Sequence, residues 1–168
     1  HVKPASSFPF NYLVEPGKFD ARDADAYRKH IRNVLSQAGD KPLFLELGFT
    51  DPHRPFQENH KGLPKVSVTS ATVKMLPFMK GLENVSDLIS QVAGYYNGIM
   101  RVDACIAAAM DELKQRGRLD SAIIVVMGDH GAPFGRAKVT CYNPGMRVPY
   151  IVKWPGVSRS GAASKALV

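Results

Sequence analysis

The chain has 168 residues, 45% hydrophobic and 22% charged, which suits a globular protein with one core of modest size, a single domain or part of one. No run of 18 apolar residues occurs, so no membrane-spanning helix is expected, and no charged-then-apolar leader opens the chain. Lys and Arg (22) exceed Asp and Glu (15) by seven, but they are dispersed and lack aromatic interleaving. That pattern argues against a nucleic-acid module and favours a small or polymeric anionic ligand. The opening phrase His1-Val2-Lys3-Pro4, in a Pro-rich stretch, reads as the interior of a longer protein. Cys105 and Cys141 lie 36 positions apart and fit neither a CxxC metal site nor a dense disulfide framework. Cys105, on an apolar helical stripe, is read as packing. The Asn84-Val85-Ser86 sequon carries little weight alone.

Several caps between Asp20 and Asp25 precede Tyr27, Ile31, Val34 and Leu35, which share one helical face before Gly39. This predicts a helix of about four turns. The run Leu43 to Phe49 is short and almost wholly apolar, as a strand buried on both faces of a parallel sheet would be. From Arg54 to about Val85, with Pro55, Pro64 and Pro77 and little periodicity, the chain reads as a long excursion of the kind that carries binding loops.

Ser86 can cap a long helix in which Leu88, Ile89, Val92, Tyr95, Ile99, Val102, Ile106, Met110 and Leu113 recur at threes and fours up to Gly117. Gly94 and Gly98 interrupt it, which points to a kink or close packing. Two further strand-length runs follow, Ala122 to Met127 and Pro149 to Lys153. There are no internal repeats, and the order helix, strand, excursion, helix, strand, loop, strand predicts an open α/β sheet with helical crossovers.

In such sheets ligands bind beyond the carboxyl ends of the strands. Two polar clusters fall there: Asp51-Pro52-His53-Arg54 and Gly128-Asp129-His130-Gly131. A carboxylate beside an imidazole, flanked by glycines that admit close backbone approach, suits half of a divalent metal site. The alternative is an Asp-His turn that caps local amides. His53 alone reads equally as a hydrogen-bonded loop residue.

Taken together, the phrases PLFLELGFTDPHRPF (42–56), Tyr96 to Gly117 followed by Leu119-Asp120, IVVMGDHG (124–131) and KVTCYNPGMRVP (138–149) resemble the sulfatase family, in order and over about three quarters of the chain. The DPHR phrase is similar to the sulfamidase (heparan N-sulfatase) branch. The resemblance implies an alkaline-phosphatase-like, mostly parallel sheet with helices on both faces, of which residues 1–168 form the carboxy-terminal part. It implies a metal-dependent sulfuric ester or sulfamate hydrolase acting on sulfated sugars, located outside the cytoplasm.

Carried residue by residue, His1 matches the family's active-site histidine, at the tail of a Lys-x-His motif. His53 and Lys138 match the groups that contact the sulfate and the leaving oxygen, and Asp129 and His130 match the late metal ligands. Arg136, in the same Gly-rich turn as Lys138, is a further anion-binding candidate; a solvated loop Arg is its alternative. The implied cofactors are Ca²⁺ or another divalent cation and a formylglycine nucleophile, with a histidine base resolving the covalent sulfate ester. Formylglycine arises from Cys or Ser in a Cys/Ser-x-Pro-x-Arg context, which neither Cys105-Ile106-Ala107 nor Cys141-Tyr142-Asn143 provides. The amino-terminal Asp-Asp metal pair is also absent, so this piece alone is expected to be inactive. Two other readings stay open: a phosphonate or phosphodiester hydrolase of the same superfamily, favoured by His130, and a non-enzymatic anion-binding module.

Overall fold

A computed structural model of the chain describes residues 10–14 and 17–165. Helix α1 spans Ala24–Ala38, and its first turn is closed by Asp23, whose carboxylate accepts from the Asp25 amide at 2.9 Å. Tyr27, Ile31 and Leu35, spaced by four, are its buried face, as the periodicity predicts. Gly39, at φ 55°, ends it in a conformation that favours glycine. Helix α2 spans Leu88–Gln115, and the two helices share a core of Tyr27, Ile31, Leu35, Cys105 and Ala109. Arg32 spans the pair with a fork onto Glu112, at 2.7 and 3.0 Å.

The face that α2 buries is not its most apolar one. Gly94, Asn97, Gly98, Arg101, Cys105, Ala108 and Glu112 are all buried, whereas Ile99 is exposed and Val102, Ile106 and Met110 are half-buried. Small and polar residues face inward because other backbone must come close. A Cβ on Gly94 would lie 2.7 Å from the Phe56 Cβ, and one on Gly98 would lie 3.1 Å from the Pro52 Cα. The two glycines therefore serve close packing. Ser86 does not cap α2; Asp87 precedes it at φ 59° without a side-chain capping bond.

Residues 43–49 form no ladder. Leu45, Leu47 and Phe49 pack on the α1/α2 core while Phe44 is 79% exposed, so this run packs on one face instead of two. The Tyr27 hydroxyl holds it by donating to the Gly48 carbonyl at 2.7 Å.

Strand β1 (Ile124–Met127) pairs with β2 (Tyr150–Lys153) antiparallel, Ile124 opposite Lys153 and Met127 opposite Tyr150. A parallel return needs a crossover of a dozen or more residues, usually helical. The only helix between them is α3, the single turn Asn143–Met146, so the chain folds straight back. Val125, Met127 and Ile151 are exposed, so the sheet leaves apolar surface uncovered by the described residues.

The 54–85 excursion contains only a short 3-10 turn, Pro77–Met79, and is held by side chains. Asn97, fully buried, bonds both the amide and the carbonyl of Val68, at 2.7 and 2.8 Å. Nearer α1, His60 meets Asp20 at 2.8 Å and Lys61 bridges Asp20 and Asp23, at 3.1 and 2.6 Å. Burial raises the Asp20 carboxyl, but the bonds from His60, the Arg22 amide and Lys61 outweigh it and bring it from 3.8 to about 2.

Gly94→Ala separates two accounts of the helix. Propensity alone predicts a gain of about 1 kcal/mol. The Phe56 contact predicts a net loss of about 1–3 kcal/mol, read as a lower Tm. The Asp20 carboxyl titrates lower folded than unfolded, so its tie stabilises above about pH 4 and is lost as pH falls from 3.8 toward 2. Exchange at the Leu63 amide, which donates to the His60 carbonyl, is expected to accelerate across that window, and Asp20→Asn to remove the step.

Candidate functional site

The 51–57 loop carries His53 and Arg54, and buried charge fixes it from beneath. Arg101, fully buried on α2, grips Asp51 with Nε at 2.7 Å and Nη2 at 3.2 Å and donates Nη1 to the Gln57 carbonyl at 2.9 Å. Arg22 reaches the same carboxylate from the segment before α1, Nε to Oδ1 at 2.9 Å, and its Nη2 contacts the His53 and Pro55 carbonyls at 3.4 and 3.5 Å. Asp51 is 6% exposed. A buried Arg must be paired, so Arg101 beside Gly98 on the inward stripe is the sequence signal for this network, one that apolar periodicity does not show.

His53 itself is exposed. Its Nδ1 lies 2.7 Å from the Arg54 carbonyl, which can only accept, so Nδ1 carries a proton and Nε2 is left for other chemistry. The Arg54 guanidinium lies over the Phe56 ring at 4.7 Å and the Phe134 ring at 5.8 Å. Phe56 and Phe134 pack with centroids 5.8 Å apart, and Phe134 is buried. This aromatic contact joins the first polar cluster to the loop that carries the second.

The loop after β1 is built on two glycines. Gly131 donates its amide to the Gly145 carbonyl at 2.9 Å; a Cβ at Gly131 would collide with the Pro144–Gly145 backbone, and one at Gly145 with the Ala137 and Thr140 carbonyls. The crossing holds Asp129-His130 beside the 136–142 turn. There Lys138 is half-buried, and among the described residues its ammonium has no hydrogen-bond or ion-pair partner. Arg136, at φ 64°, lays its guanidinium 5.1 Å over the Tyr142 ring. Lys138, Arg136 and Arg54 are cations on the two segments that meet at the Phe56–Phe134 contact, and cations there suit an anion.

His130 donates Nδ1–H to the Gly131 carbonyl at 2.8 Å, which leaves the Nε2 lone pair free, 3.4 Å from an Asp129 carboxylate oxygen. A metal-binding histidine is normally oriented by such a backbone bond, so the pair fits two ligands of a divalent site. Among the described residues no group of three or more His, Cys, Asp or Glu gathers, and no hydrogen bond joins Asp129 or His130 to His53. His1 lies outside the described residues. Cys105 is buried, and burial pushes its thiol up to about 12, which disqualifies it as a nucleophile.

The family model described as Sulfatase matches residues 6–168. Human N-sulphoglucosamine sulphohydrolase is 25% identical across all of this chain and 38% of its own length. An ulvan-active sulfatase of Formosa agariphila is also 25% identical, across all of this chain and 32% of its own. The extracellular sulfatase SULF-1 homolog of Drosophila melanogaster is 24% identical over 88% of this chain and 15% of its own. The chain thus spans well under half the length of these relatives.

Proposed function

The chain belongs to the sulfatase family, which implies an alkaline-phosphatase-like α/β fold and a divalent cation, and on that premise we propose that it forms the carboxy-terminal part of the catalytic domain of a sulfate ester or sulfamate hydrolase. The observation that carries this reading is the convergence of the 51–57 loop and the 129–138 segment on the Phe56–Phe134 contact. The uncovered apolar residues of β1, β2 and the 43–49 run support a larger, mostly parallel sheet in the whole domain. Sulfated sugars are the substrate class, an inference supported by the relatives named for N-sulphoglucosamine and ulvan. An extracytoplasmic location is supported by the relative named as extracellular, and no described helix is long and apolar enough to cross a membrane.

In this reading Lys138, with Arg136 beside it, binds the sulfate oxygens and offsets their charge. His53, fixed as the Nδ1–H tautomer, takes a second proton at Nε2 and donates it to the departing oxygen or nitrogen. Asp129 and His130 hold the dication, Ca²⁺ or another, which supplies charge neutralisation at the sulfuryl group when bound. His1 is the base of the second half-reaction, in keeping with its match to the family's motif. The contexts of Cys105 and Cys141 exclude them as formylglycine precursors, so a formylglycine nucleophile belongs to a part of the protein outside these residues.

His130 favours one second reading, a phosphonate or phosphodiester hydrolase, because the family resemblance places a histidine at this position in related phosphonate and phosphate ester hydrolases as well as in some sulfatases. In the full-length protein, His53→Ala and Lys138→Ala are each expected to lower turnover of p-nitrophenyl sulfate or glucosamine N-sulfate by about 10²-fold or more. Preferred cleavage of bis-p-nitrophenyl phosphate instead establishes the second reading. Removal of the dication by a chelator is expected to abolish activity, and restoration across Ca²⁺, Mg²⁺ and Mn²⁺ identifies the ion.

A further inference from the structure

We propose that Arg101 and Arg22, acting through Asp51, are positioning residues that hold the 51–57 loop so that His53 meets the sulfate group. This rests on the reading of His53 given above. His53 is exposed and, among the described residues, its ring makes one hydrogen bond, to the carbonyl of the next residue, so within these residues its place in space is set by its backbone. That backbone is pinned at successive points. The His53 amide donates to the Thr50 carbonyl at 2.9 Å, Arg22 reaches the His53 and Pro55 carbonyls, and Arg101 holds the Gln57 carbonyl. Pro52 and Phe56 lie against Gly98 and Gly94 of α2.

Both guanidiniums converge on the single Asp51 carboxylate, and Arg101 binds it with two nitrogens while a third reaches the loop backbone. Only a planar fork can make all three contacts, so lysine at 101 keeps the charge and loses the geometry. The pair is also placed for more than stability. Glu112, an equally buried charge on the same helix, pairs with Arg32 and Arg28 and ties α2 to α1, away from the site loop. Among the described residues, α2 thus carries these two buried charges, Arg101 and Glu112, and it is the Arg101 pairing that touches the residues around His53.

The test compares Arg101→Lys, Arg22→Gln, Asp51→Asn, His53→Ala and Glu112→Gln in the full-length protein. Each is assayed for kcat and KM on p-nitrophenyl sulfate and glucosamine N-sulfate well below its Tm. A displacement of about 1 Å at a reacting group costs on the order of a hundredfold in rate. Arg101→Lys, Arg22→Gln and Asp51→Asn are therefore expected to lower kcat by about tenfold to a hundredfold while KM stays within about threefold. Glu112→Gln is expected to lower Tm and leave kcat unchanged. Wild-type kcat in Arg101→Lys and Arg22→Gln, with His53→Ala inactive, overturns the positioning role and leaves the reading of His53 standing. An equal fall of kcat in Glu112→Gln overturns it too, since generic destabilisation then accounts for the loss. Full activity in His53→Ala removes the reading and the inference together. If Asp51→Asn fails to fold, Arg22→Gln decides, because the Arg22 side chain sits at the rim with 16% exposure.

Discussion

The 51–57 half of the candidate site hangs on the buried ion pair between Arg101 and Asp51. Removing one partner of such a pair costs about 3–5 kcal/mol, yet replacing both by apolar groups of similar shape is often neutral. Stability alone therefore gives weak reason to bury Arg101 against a carboxylate that a second arginine, Arg22, also reaches from the rim. Geometry gives a better one: the pair fixes where the 51–57 loop lies on α2, and the glycines at 94 and 98 let that loop come within van der Waals contact of the helix. Phe56, carried on the same loop, then meets Phe134 and sets the relation to the 129–138 segment.

The second segment is organised by different physics. No buried charge is involved; two glycines cross at near-backbone distance and one amide-to-carbonyl bond closes the crossing. The consequence is an arrangement in which Lys138 has no ion-pair partner among the described residues and the Asp129 side chain is 86% exposed. Such exposed groups bind a multivalent anion or a dication weakly unless further groups enclose them. The uncovered apolar residues of β1 and β2, and the exposed Ile99 and Met100 on α2, mark where enclosing structure would pack.

Much of this was legible in the sequence. Apolar spacing located α1 and α2 to within a few residues, the two glycines of α2 pointed to a kink or close packing and the packing is what the structure shows, and the Asp-His and DPHR phrases marked both loops. The buried face of α2 was legible from hydrophobicity only in part: Val92 and Cys105 are inward, but Gly94, Asn97, Gly98, Arg101 and Glu112 share that face while Ile99 faces outward. The parallel sheet was expected from apolar runs whose pairing depends on partners the described residues do not supply; β1 and β2 pair antiparallel and 43–49 stays unpaired. Arg22 and Arg101 escaped because a single sequence shows charges without their partners.

If, as proposed, residues from both loops bind one anion, inorganic sulfate titrated into the full-length protein reaches them together. Followed through the backbone amide resonances of His53 and Lys138, both are expected to move together and fit one dissociation constant. Response of only one of them, or two unrelated constants, would contradict the proposal.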